Sequence, residues 1–117
     1  MKAIQVTQTG GPEVLTLADL PAPVPKANEA LVEIKAIGIN FIDVYLREGR
    51  YPMPLPFIAG QEAAGVVTEV GAGVTTVRMG DRVAYCGTPG AMRNMRAFPP
   101  IGSSRFPRNW ISKWRQR

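Results

Sequence analysis

The sequence predicts a mainly β domain, a small barrel of short strands with little helix. Three observations carry that expectation. Apolar segments of strand length recur at close spacing between Lys2 and Cys86. Gly- and Pro-rich turns separate them, as at Thr9-Gly10-Gly11-Pro12, Gly71-Ala72-Gly73 and Met79-Gly80-Asp81-Arg82. The segment Ala30 to Ile37 alternates with period two, as a strand with two different faces does. Short strands joined in this way favour an all-β barrel.

In chain order, Lys2 to Thr7 reads as the first strand and Val14 to Leu17 as its hairpin partner. Leu20 to Pro25 holds three prolines, which keep a surface connector extended. Ala30 to Ile37 follows, with Leu31, Glu33 and Lys35 on one face and Val32, Ile34 and Ala36 on the other. Asn40 is placed to cap a short helix, Phe41 to Glu48, which Gly49 ends. Phe41, Val44 and Tyr45 share a face of that helix. Pro52, Pro54 and Pro56 extend the next loop, and Ala63 to Val70 is a strand. Thr75 to Val77 begins its return, and Val83 to Cys86 is a further apolar strand. Beyond Gly90 no sustained period is visible, and Arg and Pro dominate.

The 117 residues suffice for one domain with a core, and 45% of them are apolar. No apolar run approaches the roughly 20 residues of a membrane span. The opening MKAIQVTQTGG lacks the apolar block of a secretion signal, so a cytoplasmic location is expected. The chain has one cysteine, Cys86, and no histidine. That excludes an internal disulfide, Ser-His-Asp or Cys-His catalysis, and the commonest metal ligand. Cys86, in an apolar strand, is expected to be a buried thiol.

The net charge of +5 hides a break. Residues 1–91 hold seven Lys and Arg against nine Asp and Glu, whereas residues 92–117 hold seven Lys and Arg and no acid. Two kinds of sequence adjoin here: a domain over 1–91 and a basic, irregular tail over 92–117. The tail contains Trp110 and Trp114. One reading of the chain is a non-catalytic β-barrel binding module whose tail binds a partner or nucleic acid electrostatically. Specific nucleic-acid recognition is not expected, because no recognition fold accompanies the tail.

Polar residues that could face a ligand cluster between Ala36 and Gly65. Asn40 reads as a helix cap, as a ligand-facing amide, or as both. Asp43 reads equally as a solvated helix charge, and Tyr45 as core packing. Glu62, after a Gly turn, reads as structural.

The ordered set Gly38, Asn40-Phe41, Asp43, Arg47, Gly49, Tyr51-Pro52, Pro56, Gly60, Glu62 and Ala64-Gly65-Val66 resembles the zinc-independent quinone oxidoreductases. These are the zeta-crystallin-like branch of the medium-chain dehydrogenases. Val70-Gly71, Gly73-Val74, Gly80-Asp81-Arg82-Val83 and the opening MKAIQVTQTGGPEVL extend the likeness over residues 1–91. It implies a GroES-like, partly open β-barrel facing a Rossmann domain, with NADPH in the cleft and a quinone or activated enone as acceptor. Asn40, Asp43 and Tyr45 match positions on the cofactor side, and Asn40 and Tyr45 match the catalytic positions. Tyr51 and Gln61 match the outer, substrate side. The family is often homodimeric. In the zinc-dependent branch a histidine stands where this chain has Gln61, and a cysteine where it has Gly38-Ile39-Asn40. The resemblance therefore implies no metal.

The sequence has no Gly-x-Gly-x-x-Gly turn to hold a pyrophosphate, so the Rossmann domain is expected to be absent and the barrel incomplete. The tail has its own explanation. Back-translated and read one nucleotide earlier, Met92 onward becomes YAEYARVPADRLVPLPAELDFEVAAA. Trp110 followed by Ile111 forces an aspartate there. That is the family's usual continuation. Residues 92–117 are accordingly expected to be a frameshift product ending at a premature stop, and the fragment to be inactive alone.

Overall fold

Each apolar segment becomes a strand where it finds a backbone partner. A computed structural model describes residues 1–98 and 112–113. β1 (Lys2–Val6) pairs antiparallel with β2 (Thr16–Asp19), Lys2 opposite Asp19 and Gln5 opposite Thr16. β4 (Phe57–Ile58) lies on the other side of β1, giving the order β2-β1-β4. A second sheet has the order β7-β3-β5-β6-β8. Its strands are β3 (Ala30–Gly38), β5 (Glu62–Val70), β6 (Arg82–Cys86), β7 (Met95–Phe98) and β8 (Ser112–Lys113). All its pairs are antiparallel. The chain is thus mainly β, with two sheets rather than one closed barrel.

The segment Met92 to Asn94 clasps the sheets together. Ile4 N–H donates to the Met92 carbonyl at 2.8 Å and Asn94 N–H to the Lys2 carbonyl at 3.1 Å. On the other side Ile34 N–H donates to the Asn94 carbonyl at 2.9 Å.

Two apolar clusters sit on either side of this clasp. The larger joins Val32, Ile34, Val67, Val77, Val83, Tyr85 and Phe98. The smaller joins Val6, Val14, Phe57 and Ala59. Val6, Val32 and Val67 are the largest side chains sealed from solvent. Each contributes about 1.5–3 kcal/mol by leaving water.

Several local expectations change. The return strand expected from Val14 begins instead at Thr16. Pro12 starts a single 3-10 turn over Pro12–Val14, as its fixed φ favours, and the turn drops Val14 into the smaller cluster. Thr75 to Val77 forms no strand. That connection is a loop in which Val77 is buried, and Asp81 Oδ2 accepts the Arg78 N–H at 3.0 Å. In β3, register shifts fall between Leu31 and Val32 and between Ile34 and Ala36. They break the expected alternation, so that Leu31 is buried and Ala36 exposed. Past Gly90, Met95–Phe98 forms a strand because the edge of β3 is open to it, Ala30 opposite Phe98 and Glu33 opposite Met95. Cys86 is exposed rather than buried, since it ends β6. Residues 99–111 and 114–117, on which most of the frameshift reading falls, lie outside the described residues.

Tyr85 is the titratable group set deepest in the larger cluster. Burial pushes its phenol above the usual value of 10.0, and the nearby Arg96 guanidinium offsets part of that. The folded state therefore holds the phenol proton after the unfolded chain has released it. The associated stability is present below pH about 10 and is lost as pH rises through the folded pKa. Tyr85→Phe should remove that term. Unfolding midpoints of the wild type should fall more steeply than those of the variant above pH about 10; parallel pH profiles would contradict the assignment.

Candidate functional site

The candidate site is built where β3 hands over to α1 (Phe41–Glu48). Asn40 precedes the helix in extended backbone, with φ −130° and ψ 158°. Its N–H donates to Asp43 Oδ2 at 2.8 Å, and Asp43 N–H donates to the Asn40 carbonyl at 3.0 Å. This reciprocal pair fixes the helix start and places an acid at the positive end of the helix. At the other end Gly49 takes φ 79°, a left-handed conformation that glycine adopts without strain, and its N–H reaches the Leu46 carbonyl. Arg47 anchors the helix from the side. Its Nε donates to the Gly10 carbonyl at 3.1 Å, and Gly10 N–H returns a bond to the Arg47 carbonyl at 3.0 Å.

The sheet brings a second segment to the same end. Gly38 on β3 stands opposite Glu62 on β5. A Cβ at Gly38 would run into the Glu62 carboxylate, so the glycine is what lets Glu62 lie across the strand. Glu62 is half-buried there. The register also carries Gln61 to the end of the sheet where Asn40 sits.

The residues singled out by sequence occupy different settings. Asn40 is exposed and Asp43 half-buried, bonded to each other through the Asn40 backbone. Asp43 Oδ1 is buried without a hydrogen-bond partner. Tyr45 is half-buried and meets the exposed Tyr51 edge to face, ring centres 5.5 Å apart at 75°. The Arg50 guanidinium lies 5.7 Å from the centre of the Tyr45 ring. Gln61 is only 9% exposed, and its backbone carbonyl accepts the Thr88 N–H at 3.2 Å. Asn40 with Asp43, and Tyr45 with Tyr51, are therefore two pairs strung along α1. Gln61 approaches from β5.

Two features were not legible beforehand. Ile39 and Phe41, on either side of Asn40, are 80% and 82% exposed. Phe41 does not share the packing of Val44 and Tyr45, which are half-buried. The result is an apolar strip with one amide at its centre. Arg47 was the other: the turn that holds its partner, Gly10, is legible, but nothing local joins the two. An apolar groove of about 430 Å³, lined by Ile4, Ile37, Ile39 and Arg93 among others, runs alongside but does not reach Asn40, Asp43 or Tyr45.

Chemically this is a hydrogen-bonding surface. Amides donate and accept at once, and a phenol does the same. A catalytic zinc takes about three N, S or carboxylate ligands. Asn40 and Gln61 offer neutral amides instead. Among the described residues no three His, Cys, Asp or Glu side chains converge, and no helix is long and apolar enough to cross a membrane.

A mainly β domain whose working surface lies at a strand-to-helix junction has clear relatives. Residues 26–102 match the alcohol dehydrogenase GroES-like domain, and the chain belongs to that family. Within it, the chain is 53% identical over 83 residues to quinone oxidoreductase 1 of Escherichia coli K12. It is 54% identical over 83 residues to the quinone oxidoreductase of Salmonella typhimurium. Each match covers 70% of this chain and 25% of the relative, so the chain spans about a quarter of the length of these curated relatives. The crystal structure of the Escherichia coli quinone oxidoreductase complexed with NADPH superposes with a TM-score of 0.79 at 46% identity. That superposition covers 85% of this chain and 31% of the other.

Proposed function

We propose that this chain forms one wall of a reductase site at which a hydride passes from NADPH to a quinone or an activated enone without zinc. The observation that carries the reading is the exposed strip Ile39-Asn40-Phe41, an amide between two solvent-facing apolar side chains. A nicotinamide and a quinone are both flat and apolar with polar edges, and such a strip suits either. The likeness to an NADPH-bound quinone oxidoreductase extends across this segment.

When bound, NADPH supplies the hydride. With a flat ring bound there, the Asn40 amide would donate to it or accept from it, and Ile39 and Phe41 would help to exclude water. Asp43 holds Asn40 in place through the backbone, and its unpartnered Oδ1 is available to a hydroxyl or amide of the cofactor once the side chain turns. Tyr45 backs the surface, steadied by Tyr51. Gln61 supports the substrate side from beneath. A quinone is already electrophilic, so hydrogen bonds suffice where oxidation of an alcohol calls for a Lewis acid. The 117 residues carry no Gly-rich pyrophosphate turn. The facing lobe is thus contributed by sequence outside them, and the chain by itself turns over little. A cytoplasmic homodimer is the setting in keeping with the family. We propose also that residues 92–117 are read out of frame, which the nucleotide sequence of the gene decides directly.

The functional test is a graft. Residues 1–91 are placed on the nucleotide-binding remainder of a quinone oxidoreductase, and quinone-dependent NADPH oxidation is measured. The graft should be active and insensitive to chelators, with the 117-residue chain near background. Asn40→Ala in the graft should lower kcat/KM about tenfold, the equivalent of one hydrogen bond. A folded graft that does not oxidise NADPH, or one silenced by a chelator, would reject the proposal.

A further inference from the structure

Around Gly90 the structure gathers positive charge that no carboxylate among the described residues balances. A Cβ at Gly90 would stand 2.5 Å from Arg93 Nη2 and 3.4 Å from Arg96 Nη1, so both guanidinium groups crowd one point. Neither has a carboxylate partner among the described residues. None of the remaining side chains can supply one, because every Asp and Glu of the chain lies at or before Asp81. Their polar contacts are carbonyls: Arg93 Nε donates to the Gly90 carbonyl at 2.7 Å, and Arg96 Nη1 to the Thr88 and Pro89 carbonyls. Each therefore keeps donors to spare, since a guanidinium has five.

A third group, Tyr85, lies beneath the Arg96 guanidinium. Tyr85 is only 7% exposed, and its hydroxyl has no hydrogen-bond partner. The Arg96 guanidinium lies 5.4 Å from the centre of the Tyr85 ring and 4.9 Å from that of Phe98. Arg96 acts on the phenol oxygen electrostatically from beside the ring. An orphaned buried donor is costly. Two like charges side by side add to that cost. Burial and the neighbouring Arg96 both push the Arg93 pKa down. An anion between the three groups would relieve all of these at once.

We propose that Arg93, Arg96 and Tyr85 form an oxyanion site beside Gly90 that takes a phosphate group, free or carried on a small monoester. Guanidinium donors match the paired oxygens of phosphate, and the neutral phenol supplies a further donor. The site is independent of the reductase reading, since it uses no residue of the Asn40 surface. It rests on residues of the divergent stretch past Ala91, so it is a property of this chain as it stands.

The test uses the whole chain at constant ionic strength, titrated with inorganic phosphate or phenyl phosphate and followed by its thermal midpoint. A saturable rise is expected with one or both. A rise with inorganic phosphate identifies a free-anion site, and a rise with phenyl phosphate alone identifies a monoester site. Arg96→Gln removes one of the crowded charges and should fold; it should weaken the half-saturating concentration about tenfold, the worth of one charge-assisted bond. Tyr85→Phe keeps the ring and should weaken it about threefold, as loss of one neutral hydrogen bond does. No saturable rise with either compound, or an unchanged half-saturation in Arg96→Gln, would overturn the proposal, because the remaining basic residues would then be acting only by screening.

Discussion

Gly65→Ala is expected to cost about 3 kcal/mol, a large fraction of the stability of a small domain. Gly65 lies in the central strand, opposite Ile34 on one side and Val83 on the other. A Cβ there would overlap the Glu33 carbonyl oxygen and stand 2.8 Å from Val32 Cγ1. The obstacle is backbone of the neighbouring strand, which cannot turn aside as a side chain can. Relief would require parting β3 from β5 at the heart of the sheet. Gly80→Ala is the contrast: φ is 86° but nothing lies within 4 Å, so only conformational strain opposes it, about 1 kcal/mol. Urea unfolding of the two variants distinguishes them. Equal losses would mean that the close approach at Gly65 is not as tight as described.

Phe98→Ala is expected to cost about 3 kcal/mol as well, by a different route. Phe98 is 8% exposed and packs edge to face on Tyr85 with ring centres 4.5 Å apart. Removing it leaves a cavity under β7 and strips the Arg96 guanidinium of one of its two aromatic supports. The position carries added weight because it lies in the basic stretch past Gly90, where no strand is expected from the sequence alone. If that stretch is an appendage, Phe98→Ala should change the unfolding midpoint by only a few tenths of a kcal/mol, as exposed sites do. A large loss would make it part of the core despite its unusual composition.

The contrast between β3 and β7 shows what a sequence can reveal. β3 announces itself because its alternation of apolar and polar residues is a local property, and α1 does so because Asn40 and Gly49 mark both ends. β7 has no such mark. Met95-Arg96-Ala97-Phe98 becomes a strand because an unpaired edge of β3, some sixty residues earlier, accepts it. The bulges that bury Leu31 and expose Ala36 are likewise set by the partner strand. For the candidate site, Asn40, Asp43, Tyr45, Tyr51 and Gln61 are suggested by the resemblance of the ordered set to a known family. Exposure did not follow from them. That Gln61 is buried while Ile39 and Phe41 are open depends on how the ends of β3 and β5 meet. The anchoring of Arg47 on Gly10 depends on a turn from another part of the chain.

The clasp at Met92 to Asn94 also bears on how the chain comes to be folded. Lys2 N–H donates to Asn94 Oδ1 across 92 positions of sequence. β1 and β2 can pair early as neighbouring segments, and α1 and β4 join them later through Gly10 and Val6, but the backbone bonds that link β1 to β3 run through Met92 to Asn94 and form only when almost the whole domain has been synthesised. Closing so long a loop is entropically slow, and proteins rich in such distant pairings fold in milliseconds to seconds rather than microseconds. During that interval the backbone of β1 at Ala3 and Ile4 and the free edge of β3 from Ala30 to Ile34 lack the partners that residues 92–98 supply. A nascent chain that pauses before residue 94 is therefore the species most exposed to aberrant strand pairing with its neighbours.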